Sequence, residues 1–289
     1  MLVVKVVFLT IFLKIHATPV LHVVQSSPIL NGDSVSSAED YPFVVRLFIT
    51  SKDIYEGKIV TSQNLCTGVL VTLDFVVTAA HCLEDHVSRP HVVVKAGIVD
   101  LVEEISETAL MLDYKKHRNY DPSDITSHKP YLRNDIAVIW LNKQFKKSPQ
   151  IRPASINCVW NDFAGLKGVA VGWGETNVEE HSKTLQKTNL KVLSKEVCEK
   201  VAKTTLYKQF CVAPLKKGSY PAEGDSGGPF VIQNKVVGIS SWMANDGCLR
   251  PVYLRIDAYV DWLSKNYENG PSNTEKKFFG NKIEFTKLH

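Results

Sequence analysis

The chain has 289 residues, 44% of them apolar and 22% charged, and a formal net charge of +4. It is long enough to bury a sizeable core, as one large domain or two small ones. So weak and scattered a charge excludes a nucleic-acid partner, and with no zinc-type CxxC pair and no glycine-rich phosphate loop neither cofactor nor metal is expected.

Residues 1–17 open the chain with Lys5, an apolar run over Val6–Leu13 and the small residue Ala17. This pattern reads as a secretory signal, and it is too short to span a bilayer. Nothing later reaches transmembrane length, so the expected location is secreted and extracellular, with no membrane partner. In that oxidising setting the six cysteines become candidate disulfide partners. There is no Asn-x-Ser/Thr sequon, and no N-linked glycan is expected. Thr18–Pro28 lacks periodicity and reads as a short propeptide or linker.

From Pro42 onward the chain is punctuated by short runs rich in Val, Ile and Thr. Strands are predicted over Phe43–Thr50, Gly68–Leu73, Phe75–Val77, His91–Ala96 and Ile136–Leu141. Further strands are predicted over Gly168–Gly172, Lys187–Val192, Pro229–Ile232, Val236–Ser240 and Val252–Ile256. Gln233-Asn234-Lys235 separates two of them like a hairpin loop. Helix signals are few. Ser194 can cap a short helix to Lys200, and Asp257 can cap a longer one to Tyr267, where Tyr259, Val260, Leu263 and Tyr267 recur at helical spacing. Gly270-Pro271 stops it. Residues 268–289 read as a C-terminal extension with apolar anchors at Phe278-Phe279 and Ile283–Phe285. Many short strands and few helices argue for an antiparallel sandwich or barrel.

The chemistry concentrates in three places. Glu223-Gly224-Asp225-Ser226-Gly227-Gly228-Pro229 sets a serine in a glycine-dense turn just ahead of a strand. Glycine permits a sharp path and close approach by a substrate. The N–H groups of Gly224 and Ser226 can converge on one developing oxyanion. A serine hydroxyl needs an imidazole base. His81 has the setting for one, in Thr78-Ala79-Ala80-His81-Cys82 at the end of an apolar strand. Asp135 stands just before the strand Ile136–Leu141, where a buried carboxylate needs a partner, and an imidazole N–H fits.

The three motifs resemble those of the chymotrypsin/trypsin-type serine proteases and follow that family's order of His, Asp, Ser. The resemblance covers about Ile29 to Tyr267, a protease domain of residues 29–267. It implies an all-β fold of two six-stranded antiparallel β-barrels with a C-terminal helix, and a cleft between them holding His81, Asp135 and Ser226. Ser241-Trp242 resembles the strand beside bound substrate, with Ser241 supporting Asp135, and Gly172-Trp173-Gly174 resembles a turn of the second barrel. The implied function is a secreted serine endopeptidase working through a Ser226 acyl-enzyme. The partners it implies are a polypeptide substrate, an activating peptidase and a protein inhibitor, and the chain is expected to be a monomer. The alternative is a secreted homologue with weak or no catalysis that binds or regulates.

Departures from the family pattern favour that alternative. Ile29-Leu30-Asn31-Gly32 resembles the family's mature terminus, whose freed ammonium pairs with the carboxylate here at Asp225. Pro28 precedes it where a basic residue is usual, and no Lys or Arg lies between His22 and Arg46. Cys66–Cys82 and Cys198–Cys211 resemble family disulfides. Gly168 and Ile232 occupy the positions of an absent bridge, Ala222 faces an orphaned Cys248, and Cys158 has no partner in residues 18–28. The resemblance places Tyr220 near the pocket floor and Met243 and Pro251 on its wall, where they would narrow or fill it. None carries a charge for Arg or Lys, so trypsin-like specificity is not expected, and small or apolar side chains are.

Overall fold

A computed structural model describes residues 32–55, 58–83, 89–101, 106–121, 132–175, 182–245, 247–271, 283–286 and 288. The expected signal, the linker, Ile29 and the anchor Phe278-Phe279 lie outside the described residues. After β1 (Asp33–Ser34), six strands form the first barrel. They are β2 (Val44–Tyr55), β3 (Lys58–Thr72), β4 (Phe75–Thr78), β5 (His91–Ala96), β6 (Glu107–Lys116) and β7 (Ala137–Leu141). The order β2-β3-β4-β7-β6-β5 closes on itself through antiparallel β2–β5 pairing. In β5 the alternation is clean, with Val92, Val94 and Ala96 buried and the residues between them less so. Every residue of β4 and β7 is buried. These two strands read as continuous apolar runs because both of their faces are covered.

The second half holds β8 (Ser155–Asn157), β9 (Lys167–Gly172), β10 (Gln186–Val192), β11 (Gln209–Pro214), β12 (Pro229–Ile232), β13 (Lys235–Asn245), β14 (Leu249–Arg255) and β15 (Glu284–Thr286). The path β12-β9-β10-β11-β14-β13 is closed by β12–β13 pairing, which makes the second six-stranded antiparallel barrel. The hairpin turn is Gln233-Asn234 alone, with φ of 49° and 60°, and Lys235 already belongs to β13. Two left-handed residues match the twist of the flanking strands. β1 pairs with β10, β8 runs parallel to β13, and β15 runs parallel to β8. The C-terminal extension therefore adds a strand to the second sheet, with Ile283 and Leu288 buried beside it.

The ten expected strands are all present. Of the strands missed, β6 lacks an apolar face, whereas β11 buries Phe210, Cys211 and Val212 in a run of only three. In β6 only Ala109 is buried, so no alternation marks it. Helix α1 (Lys195–Ala202) is capped as expected, with Ser194 Oγ accepting from Val197 N at 3.4 Å. The last helix differs. Ile256–Tyr259 is a 3-10 turn, α2 spans Val260–Glu268, and Tyr259 stands at its N-cap without a side-chain capping bond. Asp257 is instead held by Arg255, with Nη2 at 2.7 Å and Nε at 3.2 Å. An adjacent buried guanidinium outcompetes a backbone N–H for a carboxylate. Tyr259 and Leu263 turn into the core, as their spacing requires.

Candidate active site

β4 feeds directly into the 3-10 turn Ala80–Leu83, which carries His81. The Cys66–Cys82 disulfide ties that turn to β3, so the imidazole projects from an anchored segment. On the other side Asn134 has φ 51°. It holds that left-handed turn by donating Nδ2 to Asn119 O at 3.1 Å and accepting from Tyr259 Oη at 3.0 Å. Asn tolerates this region better than most residues. The turn sets Asp135 inward at 0% exposure, just before β7.

Three donors satisfy the Asp135 carboxylate. The His81 backbone N–H reaches Oδ1 at 2.9 Å, His81 Nδ1 meets Oδ2 at 2.8 Å, and Ser241 Oγ donates to Oδ2 at 2.6 Å. With Nδ1 engaged as the donor, the tautomer leaves Nε2 as the base nitrogen. Ser241 thus sits where the resemblance put it.

Ser226 lies in a turn fixed by backbone bonds on every side. Thr67 N donates to Ser226 O at 2.9 Å, Gly227 N to Ser240 O at 2.9 Å, Gly228 N to Asp225 O at 2.9 Å and Asp225 N to Ala222 O at 3.0 Å. Cys82, next to His81, lies 3.7 Å from Ser226 O through its sulfur, so the histidine turn and the serine turn abut. Gly224 and Gly227 have φ of 92° and 80°. At Gly227 a methyl would run into Thr78 Oγ1 and Thr67 O, so glycine is required there. Among the described residues nothing accepts from the N–H groups of Gly224 and Ser226.

Asp225 is buried, with Gly174 N on Oδ1 at 2.7 Å and Ala222 N on Oδ2 at 2.9 Å. Burial pushes its pKa up to about 6, against the opposing pull of the two N–H groups and of Arg46. Its expected partner Ile29 lies outside the described residues. Tyr220, Ser241, Trp242, Met243 and Pro251 do come together, around a cavity of about 320 Å³ that Ser226 also lines. The bulky residues narrow this cavity without filling it. Glu175 and Glu223 also line it. Two larger cavities, of about 580 and 590 Å³, contain none of His81, Asp135 and Ser226. Cys198–Cys211 is bonded as expected, and Cys158 and Cys248 belong to neither of the two bridges.

The family model for Trypsin matches residues 29–263. The chain belongs to the Trypsin family. Among Trypsin-family proteins, mouse (Mus musculus) cathepsin G is 26% identical over 236 residues, covering 81% of this chain and 84% of that one. Granzyme-like protein 2 of Rattus norvegicus is 30% identical over 237 residues, 81% of this chain and 90% of that one. The solved structure of GrC superposes with a TM-score of 0.69 at 26% identity, covering 83% of this chain and all of that one. The Trypsin family is one of serine endopeptidases, and polypeptides are the substrates of that kind of enzyme. No helix among the described residues is long and apolar enough to cross a membrane.

Sequence reasoning missed Arg46, a fully buried arginine beneath the serine turn. The available signal was a lone cation inside the apolar run Phe43–Ile49.

Proposed function

We propose that this protein is a secreted serine endopeptidase with non-trypsin-like specificity. The observation that carries the reading is the Asp135–His81 arrangement abutting a serine turn whose Gly224 and Ser226 N–H groups are unused among the described residues. Ser226 Oγ attacks a peptide carbonyl as its proton passes to His81 Nε2. The Gly224 and Ser226 amides hold the oxyanion, and Asp135 steadies the imidazolium. His81 then protonates the leaving amine, the C–N bond breaks, and an ester to Ser226 remains. Water, deprotonated by His81, hydrolyses that ester and regenerates the serine.

Apolar walls at Tyr220, Met243 and Pro251 support a preference for small or apolar side chains in the 320 Å³ cavity. Discrimination there is modest, about 1–3 kcal/mol per methylene. A fluorophosphonate probe on the purified chain tests the chemistry, and labelling must vanish in Ser226→Ala. A folded chain that is never labelled sinks the enzyme and leaves the reading of a non-catalytic binding or regulatory homologue, which Pro28 favours. A peptide library tests the pocket. Strong preference for Arg or Lys at the cleaved position would overturn the role given to Tyr220.

A further inference from the structure

Asp225, within the serine turn, and Arg46, bonded to that turn at Gly224 O, are two buried ionisable groups. Asp225 accepts only two backbone N–H bonds among the described residues, from Gly174 and Ala222. Neutral donors solvate a buried carboxylate without cancelling its charge. The cation whose field favours the ionised carboxylate is Arg46. The reverse also holds, since burial lowers the Arg46 pKa to about 10 and Asp225 opposes that shift. The guanidinium is therefore charged at neutral pH.

The location of Arg46 has no packing rationale. It is 0% exposed, between Val45 and Leu47, which are equally buried. A buried arginine is costlier than an apolar residue of the same volume unless it is paired. Its Nε and Nη2 have no hydrogen-bond partner among the described residues. Its one bond runs to the serine turn, from Nη1 to Gly224 O at 3.2 Å. Thr67, directly opposite Arg46 in the β2–β3 ladder, donates Oγ1 to the same carbonyl at 2.9 Å. Two donors from the first barrel thus fix the peptide plane that joins Gly224 to Asp225. The Asp225 carboxylate is close by, since a methyl added at Gly172 would collide with its Oδ1 and lie 3.1 Å from Thr67 Oγ1.

We infer that Arg46 is a built-in cation for Asp225, a positioning residue that orders the Gly224–Ser226 turn without a newly freed ammonium at Ile29. This rests on the endopeptidase reading and gives the site its regulation. The sequence before Ile29 is consistent with it. With Pro28 at the junction and no Lys or Arg between His22 and Arg46, a trypsin-like activator has no target there. A chain that carries its own counter-charge has no need of one.

The test compares uncut and cut chains. Fluorophosphonate labelling of Ser226 is timed on the chain with residues 18–28 retained, as wild type, Arg46→Met and Arg46→Lys. Each is also made with Pro28→Arg, so that immobilised trypsin can free Ile29, verified by amino-terminal sequencing. Circular dichroism checks that every variant is folded. The uncut wild type should label. Uncut Arg46→Met should label about 100-fold more slowly, the scale of a lost oxyanion donor. Arg46→Lys should recover part of the rate, and cutting should restore Arg46→Met, because the ammonium then supplies the missing cation. The inference is overturned if the wild type labels only after cutting, or if uncut Arg46→Met labels at the wild-type rate. It is also overturned if neither Lys nor cutting rescues the methionine variant, which would make Arg46 a packing residue. These outcomes leave the endopeptidase reading intact. Failure of both the cut and the uncut wild type to label removes that reading together with the inference.

Discussion

Replacing Ser241 by alanine removes one hydroxyl and leaves the rest of β13 unchanged. That hydroxyl is 6% exposed in its residue and donates to Asp135 Oδ2 at 2.6 Å. Asp135 would keep two donors, the His81 N–H at 2.9 Å and His81 Nδ1 at 2.8 Å. A hydrogen bond to a charged group is worth about 1.5–3 kcal/mol. The loss divides between fold and site. About 1.4 kcal/mol appearing in the transition state would slow labelling about tenfold. About 1 kcal/mol appearing in stability would lower Tm by about 2–4 °C for a chain of this size. The assay is fluorophosphonate labelling with thermal unfolding of the same preparation. An unchanged labelling rate and an unchanged Tm would refute the claim that Ser241 supports the carboxylate. A large Tm loss with normal labelling would show that the bond serves only the fold.

Gly227→Ala should destabilise by about 2–5 kcal/mol and abolish labelling, because its φ of 80° is left-handed and its new methyl meets Thr78 and the β3 backbone. Denaturant unfolding measures the first effect and the probe the second. Converting Cys66 and Cys82 together to alanine frees a turn that the bridge closes across a sequence separation of 16. It should cost about 3 kcal/mol and slow labelling, since His81 rides on that turn. The Asp225 pKa of about 6 lies above the ordinary carboxylate value. Between about pH 4 and pH 6 the folded chain holds a proton that the unfolded chain has released, so stability falls as pH rises. The contribution is fully present below about pH 4, amounts to about 3 kcal/mol, and is lost as pH passes 6. Among the described residues, Arg46, Glu175 and Tyr253 are the ionisable groups whose charge acts on this carboxylate or feels it. Urea denaturation of wild type and Asp225→Asn across that range isolates the effect. The decline should be absent in the asparagine variant.

His81, Asp135 and Ser226 were legible as the candidate triad because each sits in a local backbone setting that the proposed chemistry demands. A strand end, a turn before an apolar strand and a glycine-dense loop are all written in neighbouring residues. The same holds for the strands with a strong apolar run and for the Ser194 cap. β6 was illegible because only one of its residues is buried, leaving no periodicity to read. Asp257 read as a cap because the chain alone does not reveal that Arg255 reaches its carboxylate from the end of β14. The resemblance gathered Tyr220, Met243 and Pro251 around one pocket and they line one cavity, but their side-chain volumes could not say how much space their backbones leave between them. The sequence by itself pointed to His81, Asp135 and Ser226 as the proposed triad and to an antiparallel sandwich or barrel, and its family resemblance to two barrels. Only the tertiary structure decided that the cavity beside Ser226 stays open and that Arg46 lies buried against the serine turn. Space, burial and electric field depend on groups brought close by folding, and those groups are distant along the chain.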